Sequence, residues 1–178
     1  VDILNKILAI GTIGLQIFIV LIAINFIFFR SRENKVMIFF KDYTFIFGFL
    51  VAFGAFALSL FYSEIVGFPP CELCWIQRIF IYPQLVLFGM ELYKRDRSIV
   101  DFSIVFATLG SIVSIYHIFV EAGIATGLAC ANPSSGGVSC AIRYIYEFGY
   151  VTMPIMCLTA SLFIITLLVN YKYMNRVK

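Results

Sequence analysis

Two cysteines stand three residues apart in the stretch Gly67 to Arg78, GFPPCELCWIQR, and an arginine follows the second by four residues. Cys71 and Cys74 at that spacing can close a disulfide or, when reduced, present two thiols on one face of a helix. Pro69 and Pro70 cannot continue a preceding helix but suit a turn and a first helical turn, so a helix is expected to start near Cys71. Unpaired N–H groups and the positive dipole end at such a start favour a thiolate, the species that attacks and leaves in disulfide exchange. Arg78 falls on the same face as Cys74, one turn deeper in an apolar run. A cation at mid-membrane costs about 2.5–3.5 kcal/mol, which argues against chance placement. It can offset a thiolate at Cys74, meet an anionic ligand, or send its head out to lipid headgroups along an apolar stem.

A second pair, Cys130 and Cys140, brackets ANPSSGGVS, a stretch of turn formers without helical periodicity. Ten residues reach roughly 33 Å when extended, so this loop can close on itself or place one sulfur elsewhere. Static staples are the plain alternative, and a four-cysteine zinc site shares the C-x-x-C spacing, although no second C-x-x-C occurs. Two pairs beside an intramembrane arginine point instead to an electron relay. Cys157, three residues after Pro154, has the place of a small buried hydrophobe and is assigned no role. The single histidine, His117, is either a hydrogen-bonded bundle residue or, near Arg78, a donor to the polar head of a ligand. There is no G-x-G-x-x-G for a flavin, and one histidine is a poor basis for haem.

The elements that must position these residues follow from composition. Of 178 residues, 62% are hydrophobic and 13% charged, with a net charge of +3, values that belong to an integral membrane protein and give no basis for nucleic-acid binding. The apolar runs are too long and continuous for a β-barrel, so the fold class is all-α, a polytopic membrane protein. Five spans are expected, at about Ile3–Phe29, Tyr43–Tyr62, Cys74–Tyr93, Ile99–Val120 and Tyr150–Asn170. The first is too long for the core of a signal peptide and lacks a small-residue cleavage site, so it reads as a retained span. Arg30, Arg32, Lys35, Lys41, Lys94, Arg95, Arg97, Lys172, Arg176 and Lys178 all fall on one side if the topology alternates, ten of thirteen basic residues. That side is expected to face the cytoplasm. Cys71, Cys74, Cys130 and Cys140 then face outward, where disulfides persist.

A C-x-L-C-W-x-Q-R segment that opens a span, followed one span later by an outer loop with a second cysteine pair, resembles the bacterial disulfide bond formation protein B family, DsbB, and its BdbC-type members especially. The resemblance covers about Tyr43 to the C-terminus. It implies a four-helix transmembrane bundle of DsbB type over residues 42–178, with 1–41 as an additional N-terminal transmembrane helix and cytoplasmic connection. It implies a quinone-dependent protein-dithiol oxidoreductase in the bacterial cytoplasmic membrane, with both redox pairs on the periplasmic or extracellular side. Such an enzyme reoxidises a soluble DsbA-like thioredoxin-fold dithiol oxidase and passes the electrons to ubiquinone or menaquinone, supporting disulfide formation in exported proteins. By position, Cys130 is the sulfur attacked by the partner, Cys140 its resolving mate, and Cys71 the residue that exchanges with the loop pair. Cys74 faces the quinone ring, Arg78 matches the family's arginine beside it, and His117 matches a position near the same ring. No metal is implied. Vitamin K epoxide reductase relatives share the helical plan, but their two pairs come in the reverse order. The extra first span and the short Cys130–Cys140 spacer depart from the family pattern, and AIRYIYEFGY suits the membrane interface. A non-catalytic scaffold or small transporter with static outer disulfides is the competing reading. A reductase running in the opposite direction needs an electron source on the inner side, where no cysteine pair lies.

Overall fold

Inside a hydrocarbon layer the backbone finds no water, so each apolar run must satisfy its own N–H and C=O groups as a helix. The computed structural model describes residues 1–28, 35–94, 98–125 and 138–176, and among these the architecture is all-helical apart from one isolated bridge between Glu147 and Val151. The helices are α1 (Asp2–Phe28), α2 (Lys35–Asp42), α3 (Thr44–Leu60, running into a π-helical turn at Phe61–Ile65), α4 (Glu72–Lys94), α5 (Ile99–Glu121) and α6 (Met153–Arg176). Among the described residues, five segments are long and apolar enough to cross a membrane: Asp2–Asn25, Thr44–Ile65, Glu72–Lys94, Ile99–Glu121 and Met153–Asn175. They are the five expected spans. Between the first two spans, where the sequence suggests no helix, the structure adds α2.

Helices α3 to α6 pack as a bundle, with α4 between α3 and α5, and α6 against both α3 and α5. Helix α1 lies against α6, and α2 against α6 and α3. The buried face of α4 carries Leu73, Gln77, Ile81, Gln84, Phe88 and Glu91, a three- and four-residue spacing that forms one helical stripe. The glutamines in that stripe tie α4 to α5. Gln77 donates to Ser114 Oγ at 3.1 Å, and Gln84 donates to the Ser103 carbonyl at 2.8 Å while accepting from the Ser103 hydroxyl. In lipid, where apolar surface gives helices little reason to associate, such polar contacts and close packing hold a bundle together. Gly48 supplies the closest approach: a Cβ there would lie 2.5 Å from the Phe88 ring. At one end of the bundle Ala52, Phe88, Val100, Ala107, Ile164 and Leu168 form a core. At the other, a smaller cluster contains Cys71, Leu73, Val120 and Cys140. Large apolar side chains such as Ile79, Val86, Phe102, Val105 and Ile112 point outward, as suits a surface facing lipid.

Candidate active site

The mouth of α4 is built by a sharp change of direction. After the π-helical turn, Gly67 takes a positive φ of 81°, a conformation glycine adopts without strain, and Pro69-Pro70 carry the chain into Cys71. The first i→i−4 bond of α4 runs from the Trp75 N–H to the Cys71 carbonyl at 3.1 Å. Cys71 is therefore the N-cap, and its sulfur accepts from the Cys74 N–H at 3.2 Å, the bond that a serine or aspartate oxygen makes at this position. The two cysteine sulfurs are 2.6 Å apart, and both residues are free cysteines. Cys71 is buried. Its thiol is pushed well above the ordinary cysteine value, first by its hydrogen bond with the Cys74 sulfur and then by burial.

The two sulfurs have different neighbours. On one side His117 Nε2 lies 3.9 Å from the Cys71 sulfur and 3.2 Å from the Cys140 carbonyl oxygen. Cys140 is buried and disulfide-bonded; Cys130 lies outside the described residues. His117 Nδ1 is buried without a hydrogen-bond partner among the described residues. Beside this group is a void of about 10 Å³, lined by Cys71, Cys74, His117 and Glu121 among others, with room for about one water. The segment after Cys140 folds back over the same end. Arg143 Nη2 donates to the Glu121 carbonyl at 2.9 Å, and the Tyr144 ring stacks on Phe68 at 4.6 Å.

On the other side Cys74 opens into a cavity of about 580 Å³ whose walls are predominantly apolar. One group of polar side chains in its wall is built around Arg78. The guanidinium donates through Nε to Ser59 Oγ at 2.9 Å and through Nη2 to the Ser59 carbonyl at 3.1 Å, and it stacks on Trp75 at 4.9 Å. The Tyr82 hydroxyl donates to the same Ser59 Oγ at 3.4 Å. Arg78 is thus fixed by α3, and its other N–H groups remain for a ligand. Sequence reasoning did not single out Ser59, a lone hydroxyl in an otherwise apolar stretch of α3. Cys157, given no role from sequence, lines the cavity. His117, expected beside the same ligand as Arg78, lines the small void and not this cavity.

The donor atoms of Cys71, Cys74 and His117 lie within 4.8 Å of one another, a grouping that could hold a soft metal ion when both thiols are reduced. Oxidation of the pair would leave only the imidazole.

The profile of the family described as "Disulfide bond formation protein DsbB" matches residues 41–170. The chain belongs to the DsbB family. It is 37% identical over 116 residues to the disulfide bond formation protein C of Bacillus subtilis (strain 168), covering 65% of this chain and 83% of that one. With a probable disulfide formation protein C 2 of Bacillus anthracis it shares 34% over 128 residues, 72% of this chain and 86% of the relative. With a probable disulfide formation protein C of Halalkalibacterium halodurans (strain ATCC BAA-125 / DSM 18197 / FERM 7344 / JCM 9153 / C-125) it shares 38% over 122 residues, 67% and 88%. No solved structure matches the chain. As a DsbB-family member with five membrane-length helices, this is a disulfide-forming membrane protein that works by thiol oxidoreductase chemistry. The family match takes in both cysteine pairs, Arg78 and His117, and leaves α1 outside it.

Proposed function

We propose that the chain is a quinone-dependent dithiol oxidase that recharges a soluble DsbA-like thioredoxin-fold partner through Cys130/Cys140 and then Cys71/Cys74. The observation that carries this reading is the two-sidedness of the α4 pair. Cys71 meets the Cys140 segment through His117, while Cys74 opens on the cavity that holds Arg78.

A thiolate of the partner attacks Cys130 and breaks the loop disulfide, and the partner's second thiol resolves the mixed disulfide. The partner leaves oxidised, and Cys130 and Cys140 are left as thiols. A loop thiolate next attacks Cys71 in the Cys71–Cys74 disulfide, releasing Cys74, and closure of the loop pair leaves both α4 sulfurs reduced. Two electrons and two protons now reside at the mouth of α4. His117, in contact with both Cys71 and the Cys140 backbone, acts as a positioning residue for the exchange. Arg78 faces the same cavity as Cys74 and offers N–H donors there.

The cavity suits a quinone: its volume is in the range of small-molecule sites, its walls are predominantly apolar, and Cys74 and Arg78 both line it. Bound there, a quinone supplies the two-electron, two-proton acceptor. The partner is itself a strong oxidant, about −120 mV for its best-known type, so a better acceptor is required. The redox unit spans 42–178, with 1–41 appended. The basic ends of α2, α4 and α6 face the cytoplasm, and the cysteines face the periplasm or cell exterior.

Purified protein is expected to oxidise a reduced DsbA-type partner only when quinone is supplied, and Cys140→Ala is expected to trap that partner in a mixed disulfide through Cys130. Equal turnover without quinone under anaerobic conditions, with all cysteines intact, would overturn the reading.

A further inference from the structure

Helix α1 is outside the family match, yet it contributes Ile7, Leu8, Gly11, Thr12 and Leu15 to the wall of the large cavity. Their spacing places all five on one helical face. The Thr12 hydroxyl is already spent on the Leu8 carbonyl at 2.8 Å, so this face is effectively apolar. Gly11 has nothing within 4 Å of where a Cβ would stand, so its missing side chain leaves cavity open. Polar contacts flank the wall at both ends. Before it, Asn5 Oδ1 accepts from the Tyr62 hydroxyl on the π-helical turn that follows α3. After it, Gln16 Nε2 donates to Thr159 Oγ1 of α6 at 3.1 Å, and Gln16 Oε1 accepts from the Tyr150 hydroxyl at 2.7 Å. Amide side chains in an apolar span cost free energy unless paired, and here Asn5 pairs with the turn after α3 and Gln16 with α6 and the residues before it.

We propose that α1 is a specificity wall of the quinone site: Asn5 and Gln16 clamp it between α3 and α6, and its Ile7–Leu15 face encloses the apolar part of the quinone. The carbonyl oxygens face the opposite wall, where Arg78 and Tyr82 lie. Without α1 the bundle of α3 to α6 would leave this side of the site open to lipid. The proposal rests on the reading of the cavity as a quinone site and adds to it a determinant of which prenyl chains and ring substituents fit.

The chain's single tryptophan, Trp75, stacks on Arg78 and serves as a binding probe independent of turnover. The full-length protein in nanodiscs would be titrated with quinones of one and of several isoprenyl units, following quenching of Trp75 fluorescence. Gly11→Phe, which fills the cavity from α1, is expected to weaken binding about tenfold or more, a change of about 1.4 kcal/mol per decade. The quinone-free exchange between reduced partner and loop pair is expected to stay at the wild-type rate. Gly11→Ala and the Asn5→Ala/Gln16→Ala double variant make smaller changes in packing and are expected to alter the preference between short and long chains. Should Gly11→Phe not fold, these two variants decide the matter. Saturable quenching that is identical in wild type and all variants would overturn the role of α1 and leave the quinone reading standing. Absence of any quenching in wild type would overturn both.

Discussion

Cys71 caps α4 with the same sulfur that the proposed relay uses for disulfide exchange. Serine can replace the capping bond and alanine cannot, so Cys71→Ser is expected to be more heat-stable than Cys71→Ala by about 0.5–2 kcal/mol, measured by thermal unfolding in detergent. Its raised thiol value sets a direction in pH as well. The folded, reduced protein holds this proton more tightly than the unfolded chain does. The associated stability is present below the ordinary cysteine value and is lost as pH rises through the folded one. Alkylation of reduced Cys71 is accordingly expected to be slow at pH 7 and to climb about tenfold per pH unit in alkaline buffer, since only the thiolate reacts. A flat profile, read by mass spectrometry of the modified peptide, would contradict the assignment. Arg78 has a different sensitivity. Its planar fork meets Ser59 through two N–H groups while stacking on Trp75, a combination that lysine cannot reproduce. Arg78→Lys is expected to raise the quinone KM about tenfold with partner exchange intact, a loss of about 1.4 kcal/mol in binding.

At the scale of elements, Gly48 sets how closely α3 and α4 meet. A methyl at that position would overlap the Phe88 ring, and Gly48→Ala is expected to destabilise the bundle by about 1–3 kcal/mol. Phe88→Leu in the same chain is expected to restore part of the loss, a double-mutant result that an unrelated effect of Gly48→Ala would not give. The spans, the start of α4 and the common face of Cys74 and Arg78 were legible because each follows from length, proline placement or the four-residue helical step. The interior faces of the spans were not. Lipid and bundle core are both apolar, so α1, α3 and α5 show no hydrophobic stripe to say which side faces in. That is why Ser59, Gln16 and Asn5 passed as incidental polar residues, and why the place of His117 against Cys71 required knowledge of the packing. Helix α2 escaped notice because its eight residues are too few to span a membrane and stand among charges.

Over the whole molecule, alternation of the helices puts Lys94 and Lys172 at one end and the cysteines at the other. In intact cells an impermeant maleimide is expected to label Glu64→Cys, while Lys94→Cys should react only after permeabilisation; the reverse pattern would invert the proposed orientation. Helix α2 adds a constraint at the basic end. It exposes Ile38 and Phe39, and Phe40 meets Phe18 of α1 edge-on at 4.3 Å, so it is held against the bundle while presenting apolar side chains outward. In the proposed orientation, a short helix of this kind suits the level of the headgroups. From that waterline to the rim of α4 the spans run 22 and 23 residues, about 33 Å at 1.5 Å per residue, close to one hydrocarbon thickness. On the proposed reading the draught of the protein is thereby fixed from one end: a thicker bilayer would submerge the sulfur pair beyond reach of the proposed water-borne partner, and a thinner one would strand the cavity above the proposed dissolved oxidant.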